Sequence, residues 1–146
     1  MVDGFTESFV NRFQGMTNNN LIIVNDNQTF ESDNVYICEA ETKLVKNTFN
    51  KRPTSANSYN PNINILFNSF TTLAKDIEIL CVILTGIGDD GVEACKNLSL
   101  NGSRCITESE KSAIVDGMPS RARLLVPNIE VNDIETIVKK IKEFCE

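Results

Sequence analysis

Histidine and tryptophan are absent from the 146-residue chain. Without histidine, imidazole acid–base catalysis cannot come from these residues alone. A zinc site would need cysteine or carboxylate ligands throughout. The five cysteines, Cys38, Cys81, Cys95, Cys105 and Cys145, never fall as C-x-x-C. No metal site is expected from that spacing, and they read as reduced, buried thiols of a cytosolic protein. Positive charge is also short. Lysine and arginine total 14 against 20 acidic residues, a net charge of −6 mixed along the chain. That argues against a surface for nucleic acid or an anionic membrane, which would need a basic face. No apolar run reaches the length of a membrane span, and the start "MVDGFTESF" has neither the basic nor the apolar region of a signal peptide. The expectations are a cytoplasmic location, no nucleic-acid partner and no membrane insertion.

What is present is ordinary for a globular protein: 41% hydrophobic and 23% charged residues. The length suits a single domain with its own core. No repeat of 20–50 residues occurs.

The segment "GFTESFVNRF" puts Phe5, Phe9, Val10 and Phe13 on one helical face, with Asp3 as its expected N-cap. Short β-prone runs follow, Leu21 to Val24 and Asn34 to Cys38, separated by the turn "NDNQ". With "KLVKNTF" as another short strand, they suggest an antiparallel excursion. Asn50 to Asn60, with Pro53, reads as a polar loop. From Pro61 the character changes. Ile63, Leu66, Phe67, Phe70 and Leu73 stand at helical spacing, starting at Pro61 or Asn62. "IEILCVILT" is a continuous apolar run, expected as a mid-sheet strand covered on both faces. "DGVEACKNLSL" is a helix ended by Asn101–Gly102, and "SRCIT" a strand. "ESEKSAIV" and "PSRARLL" read as short helices around "DGMP". A last helix begins at Asn132, with Glu135 as capping-box partner and Ile134, Ile137, Val138, Ile141 and Phe144 as its stripe. The alternation implies an α/β fold with parallel strands.

Between the apolar strand and its helix lies "LTGIGDDGVEA". Gly86, Gly88 and Gly91 spell G-x-G-x-x-G, the dinucleotide fingerprint, and Glu108 ends the next strand where a ribose-binding acid would lie. Asp89 and Asp90 oppose that reading. A carboxylate about 5 Å from a phosphate charge costs roughly 3 kcal/mol at an effective dielectric near 20. Two would offset much of what helix-terminal N–H groups offer an anion. A second reading makes the glycines a tight turn and one aspartate a helix cap. A third has one aspartate orienting a catalytic base. The stretch alone does not choose.

The chain as a whole resembles the catalytic domain of the CheB-type chemotaxis protein-glutamate methylesterases. "MVDGFTESFVNRF" is similar to that family's H-M-P-x-G-F-T-x-S-F-A-x-R-L, and "NVYICEAETKL" to its Y-I-A-P-G-x-x-H strand. "NPNINILFNSF" resembles R-P-S-V-D-x-L-F-x-S, and "VILTGIGDDGVEACKNL" resembles V-x-L-T-G-M-G-x-D-G-A-x-G-x-x-x-L. "ESEKSAIVDGMPSRA" resembles Q-x-x-x-S-x-V-x-G-M-P-x-x-A. Order and spacing hold across essentially all 146 residues.

The resemblance implies a doubly wound, mostly parallel α/β sheet sandwiched by helices in three layers, and a Ser-His-Asp triad. That triad would hydrolyse glutamate γ-methyl esters on chemoreceptor cytoplasmic helices and deamidate glutamines there. It places the triad acid on Asp90, the oxyanion loop on Gly86, Ile87 and Gly88, and a substrate-side position on Met118. It implies no cofactor. The family's histidine lies immediately before the methionine that aligns with Met1, and its serine lies further upstream. Residues 1–146 are therefore expected to be one N-terminally incomplete methylesterase-like domain, without a receiver domain. The first strand, a helix and the second strand would be missing, and the chain would be inactive as given, with self-association through the incomplete sheet. "CEAETK" stands in place of A-P-G-x-x-H, and Asn62 and Asn64 in place of Ser and Asp. The alternatives are a catalytically dead relative that binds receptor or partner protein and, more distantly, a dinucleotide-binding domain.

Overall fold

Asparagine-rich turns cut the first half into short strands, whereas longer apolar runs alternate with helices in the second. A computed structural model of the chain describes residues 4–52 and 59–146. It holds two compact units, Met1–Leu66 and Phe67–Glu146.

The first unit opens with α1, Phe5–Gln14. The Asp3 cap lies outside the described residues, and Gly4 holds the cap position at φ 78°, a left-handed conformation that suits glycine. Phe5, Phe9 and Phe13 do share a face, their rings following one another at 6.2 and 4.6 Å between centroids. That face is open, and the buried residue of α1 is Thr6.

β1 (Asn20–Ile23) and β3 (Asn34–Ile37) pair in parallel, correcting the antiparallel expectation for these two runs. The antiparallel sheet is built instead from β2 (Gln28–Thr29), β4 (Thr42–Val45) and β5 (Thr48–Lys51), in the order β2-β5-β4. "KLVKNTF" is therefore a hairpin rather than one strand, turning at Lys46 with φ 57°. Phe30, Tyr36 and Phe49 pack ring to ring between 5.0 and 5.7 Å. Leu44 and Phe49 are buried. Within the expected polar loop, Asn50 and Lys51 belong to β5, and Pro53 lies outside the described residues.

α2 (Ile63–Ser69) starts where Asn62 caps it, its Oδ1 accepting the Ile65 N–H at 3.0 Å. The helix stops at Ser69, and Phe70 and Leu73 fall in the turns that follow.

The second unit carries a parallel sheet, β6 (Leu80–Ile83), β7 (Arg104–Glu108) and β8 (Glu130–Asn132), in that order. Here one expectation needs correcting. β6 is an edge strand of this sheet, buried at Cys81 and Ile83 and half-buried at Leu80 and Val82. The strand covered on both sides is β7, buried from Cys105 to Glu108. α3 (Val92–Leu100) and α4 (Gly117–Leu125) pack together and against β6 and β7. Their contact forms a core of Ile83, Val92, Leu98, Ala122 and Val126 with three cysteines. α5 (Ile134–Cys145) packs along β7 through the fully buried Ile137.

"ESEKSAIV" forms turns rather than a helix, and α4 begins inside "DGMP". Ser109 and Ser112 take part in backbone hydrogen bonds there, the local competition that keeps serine out of helix interiors. Asn132 ends β8, so the N-cap of α5 is Asp133, and the Ser112 hydroxyl accepts the Ile134 N–H at 2.9 Å.

Candidate active site

The C-terminal ends of parallel strands are where α/β proteins collect chemistry. In the second unit, the residues that follow β6 meet those that precede α4. Gly86 N–H donates to the Val115 carbonyl at 3.0 Å, and Met118 N–H donates to the Gly86 carbonyl at 2.9 Å. Gly86 and Asp116 form a parallel bridge. The approach is close enough that a side chain at Gly117 would meet backbone and one at Gly86 would meet the Met118 side chain. A Cβ on Gly117 would stand 2.6 Å from the Gly86 carbonyl oxygen and 3.2 Å from Gly88 N. A Cβ on Gly86 would stand 2.4 Å from Met118 Sδ.

Beyond this contact the loop turns through Gly88 at φ 82° and Gly91 at φ 87°. Gly91, not an aspartate, occupies the N-cap position of α3. Asp90 is 5% exposed, a carboxylate tucked under the loop, whereas Ile87 is 84% exposed at its crest. Met118 is half-buried and packs against the core below. Thus Gly86, Gly88 and Met118 converge, with Asp90 two residues beyond Gly88 in the same loop.

A second ring of groups fixes that loop, and sequence reasoning missed most of it. Glu108, at the end of β7, is 4% exposed. Its Oε2 accepts the Thr85 N–H at 3.0 Å and its Oε1 accepts the Ser112 hydroxyl at 2.7 Å. Both carboxylate oxygens are therefore used inside the fold, which removes the ribose-binding role the fingerprint would need. The Thr85 hydroxyl accepts the Val115 N–H at 2.7 Å and donates to the Val115 carbonyl at 3.2 Å. Arg123 on α4 donates to the Glu108 carbonyl at 2.9 Å and to both oxygens of Asp116. That Arg123 hydrogen bond holds the Asp116 carboxyl below its ordinary range. The available signals were the threonine just after an apolar strand and an arginine seven residues after the aspartate of "DGMP".

Elsewhere the structure brings together residues that spacing kept apart. Cys81, Cys95 and Cys105 are buried with their sulfurs all within 4.8 Å of one another. Cys38 is half-buried and Cys145 exposed, so the expectation of buried thiols holds for three of the five.

A sequence model of the CheB methylesterase family matches residues 1–141. The chain belongs to the CheB methylesterase family. The protein-glutamate methylesterase/protein-glutamine glutaminase of Halalkalibacterium halodurans is 31% identical over 155 aligned residues, covering 100% of this chain and 44% of that protein. The protein of the same name from Caldanaerobacter subterraneus subsp. tengcongensis is 28% identical, covering 99% of this chain and 43% of its own length. The chain thus spans less than half the length of these curated relatives. The fold matches the crystal structure of the Thermotoga maritima CheB methylesterase catalytic domain, with a TM-score of 0.78 at 21% identity. That match covers 99% of this chain and 79% of the crystallised one. The α/β class with a small antiparallel sheet follows from the structure and this likeness together. Among the described residues, no helix is long and apolar enough to cross a membrane.

Proposed function

We propose that the chain is the acid-bearing part of a cytoplasmic protein-glutamate methylesterase domain. Its substrates would be glutamate γ-methyl esters, and glutamine amides, on chemoreceptor cytoplasmic helices in bacterial chemotaxis adaptation. The observation that carries this reading is the Gly86–Gly88 loop, held backbone to backbone against Gly117–Met118 with Asp90 buried beside it. Relatives along the whole chain bear the esterase name.

In this reading Asp90 orients an imidazole and stabilises its protonated form. A serine hydroxyl attacks the ester carbonyl and passes its proton to that imidazole. The main-chain amides at Ile87 and Gly88 receive the oxyanion. The imidazolium returns the proton to the departing methoxide, methanol leaves, and water hydrolyses the acyl-serine by the same route. Met118 lines the substrate side. No step calls for a cofactor. The 146 residues contain no histidine, so the imidazole must come from outside them, and the family resemblance puts the nucleophilic serine outside them as well. The open edge of β6 suits self-association until such a segment is present.

The missing histidine also favours a second reading, a non-catalytic module that binds receptor helices. Methanol release from methylated receptor separates the two. The 146-residue protein alone should release none at an enzyme-like rate. A chimera that supplies the serine- and histidine-bearing segment of the H. halodurans relative should turn over. Receptor binding without turnover by a well-folded chimera would favour the binding module, and turnover by the isolated chain would place the nucleophile elsewhere.

A further inference from the structure

Three thiols far apart in sequence meet in the core of the second unit. Cys81 on β6 is the direct register partner of Cys105 on β7, and Cys95 comes down from α3. Their relative exposures are 4%, 3% and 0%, and all three sulfurs lie within 4.8 Å of one another. The hydrophobic residues clustered with them are Ile83, Val92, Leu98, Ala122 and Val126, and the polar groups beside Cys105 Sγ are uncharged, the carbonyls of Cys95 at 3.6 Å and Ser103 at 3.8 Å. A cavity of about 200 Å³, walled by Phe67, Phe70 and Leu98 among others, has Cys81 in its lining. The esterase chemistry proposed above uses none of these groups.

We propose that Cys81, Cys95 and Cys105 form a binding site for a trivalent arsenic or antimony oxyacid, held as a neutral tris-thiolate. Softness and charge together select this ligand. Three sulfurs with no imidazole or carboxylate among them suit a soft centre. Structural zinc takes four ligands, and zinc on three thiolates would carry a net −1. Copper(I) on three would carry −2. Burying such charge among aliphatic side chains without a counter-ion is strongly unfavourable. Arsenous acid avoids it. It enters through the apolar cavity uncharged. Three S–H and three As–OH bonds break, and three As–S bonds form. Each thiol proton leaves with a hydroxide as water, three waters in all. Arsenic stays trivalent and the site stays neutral. Metal–thiolate bonds of about 2.3 Å require the sulfurs to draw in by on the order of 1 Å, which side-chain rotation can supply.

The test uses the full chain with Cys38→Ser and Cys145→Ser, so that only the three core thiols remain, titrated with sodium arsenite. Intact-mass measurement should show one arsenic gained and three hydrogens lost per chain. X-ray absorption at the arsenic edge should show three sulfur neighbours. With arsenite at ten times its Kd, alkylation of the thiols through opening of the fold should slow by about ten-fold. Cys105→Ser should abolish the three-sulfur signature. Because a serine variant can fail to fold, zinc competition on the parent chain is the independent arm, and zinc should not displace arsenite. No adduct, a two-sulfur adduct, an adduct formed only in denaturant, or displacement by zinc would each overturn the proposal.

Discussion

Gly86 and Gly117 are each constrained by the other's loop, but not equally. A methyl group on Gly86 meets Met118 Sδ, the flexible part of a side chain that can rotate away. A methyl group on Gly117 meets the Gly86 carbonyl oxygen at 2.6 Å, which can move only if the loop moves. Gly117→Ala is therefore expected to destabilise the fold by about 1–3 kcal/mol, the usual range for overpacking. Gly86→Ala should cost less, and its cost should shrink further in combination with Met118→Ala. Denaturant melts of the single and double variants measure this coupling, and equal costs for the two glycines would contradict the asymmetry. Asp90 invites a different measurement. In the catalytically complete chimera, Asp90→Asn should lower kcat by about four orders of magnitude, the effect of disorienting a triad histidine, without changing the melting temperature. Asp89→Asn should be nearly silent. Equal losses at both positions would mean that the loop's acidity, rather than one carboxylate, is what matters. Asp90 was singled out by the whole-chain family resemblance, because its own glycine-rich stretch leaves three readings open. The clamp beneath it was not legible in the sequence. Thr85, Glu108, Ser112 and Arg123 come from four segments, and only folding joins them.

Between strands and helices, ion pairs add to the backbone ladder that joins β8 to β7. Glu130 on β8 is bridged to Arg104 on β7 at 2.6 Å and to Lys140 on α5 at 2.5 Å. Hydrogen bonds from Arg104 first, and then from Lys140, hold its carboxyl at about 2, down from 4.5. A depressed carboxyl stabilises the fold above the unfolded-state value and loses that contribution as pH falls through the folded one. Stability should therefore decline between about pH 4.5 and 2 partly through this group, and Glu130→Gln should flatten that part of the profile. Because Glu130 is partly exposed, the effect should be small and should weaken with added salt. Chemical denaturation at several pH values with and without the substitution checks it. An unchanged acid slope would mean the bridges are screened out. β8 itself was illegible in the sequence. "EVN" is too short to show alternation, and its partner is β7 rather than a hairpin neighbour. The helices from residue 92 onward carry capping residues, glycine stops and apolar stripes, and three of them formed, with α4 and α5 starting elsewhere than read. The parallel pairing of β1 and β3 was hidden because the intervening residues turn out to β2, a strand of another sheet. The meeting of Cys81 with Cys105 depends wholly on strand register, which residue spacing along the chain does not encode.

At the largest scale, the feature with the most consequence is the β6 edge of the second unit's sheet, with which no strand pairs among the described residues. In a parallel pair, alternate residues direct their main-chain groups to opposite sides of the strand. The Ile79 carbonyl accepts the Arg104 N–H at 3.0 Å, so Ile79, Cys81 and Ile83 face β7. Leu80 and Val82 then direct their N–H and C=O groups to the open edge. Their side chains are half-buried and line the apolar cavity that Cys81 also lines. An edge that is apolar, bears no lysine and carries no proline or bulge lacks the usual devices against strand pairing. The 146-residue protein is therefore expected to associate through β6, by strand addition or by exchange of a segment between copies. Light scattering coupled to size-exclusion chromatography should show a dimer whose fraction rises with protein concentration. Val82→Pro removes an edge-facing N–H while leaving the ladder to β7 intact, a placement proline tolerates on edge strands. It should shift the protein to monomer without abolishing its cooperative melt. Supplying the serine- and histidine-bearing segment should do the same if that segment takes the edge, and in that case monomer and esterase activity should appear together. A wild-type chain that stays monomeric across the whole concentration range, with slow amide exchange at Leu80 and Val82, would mean that the edge is already covered and that association plays no part.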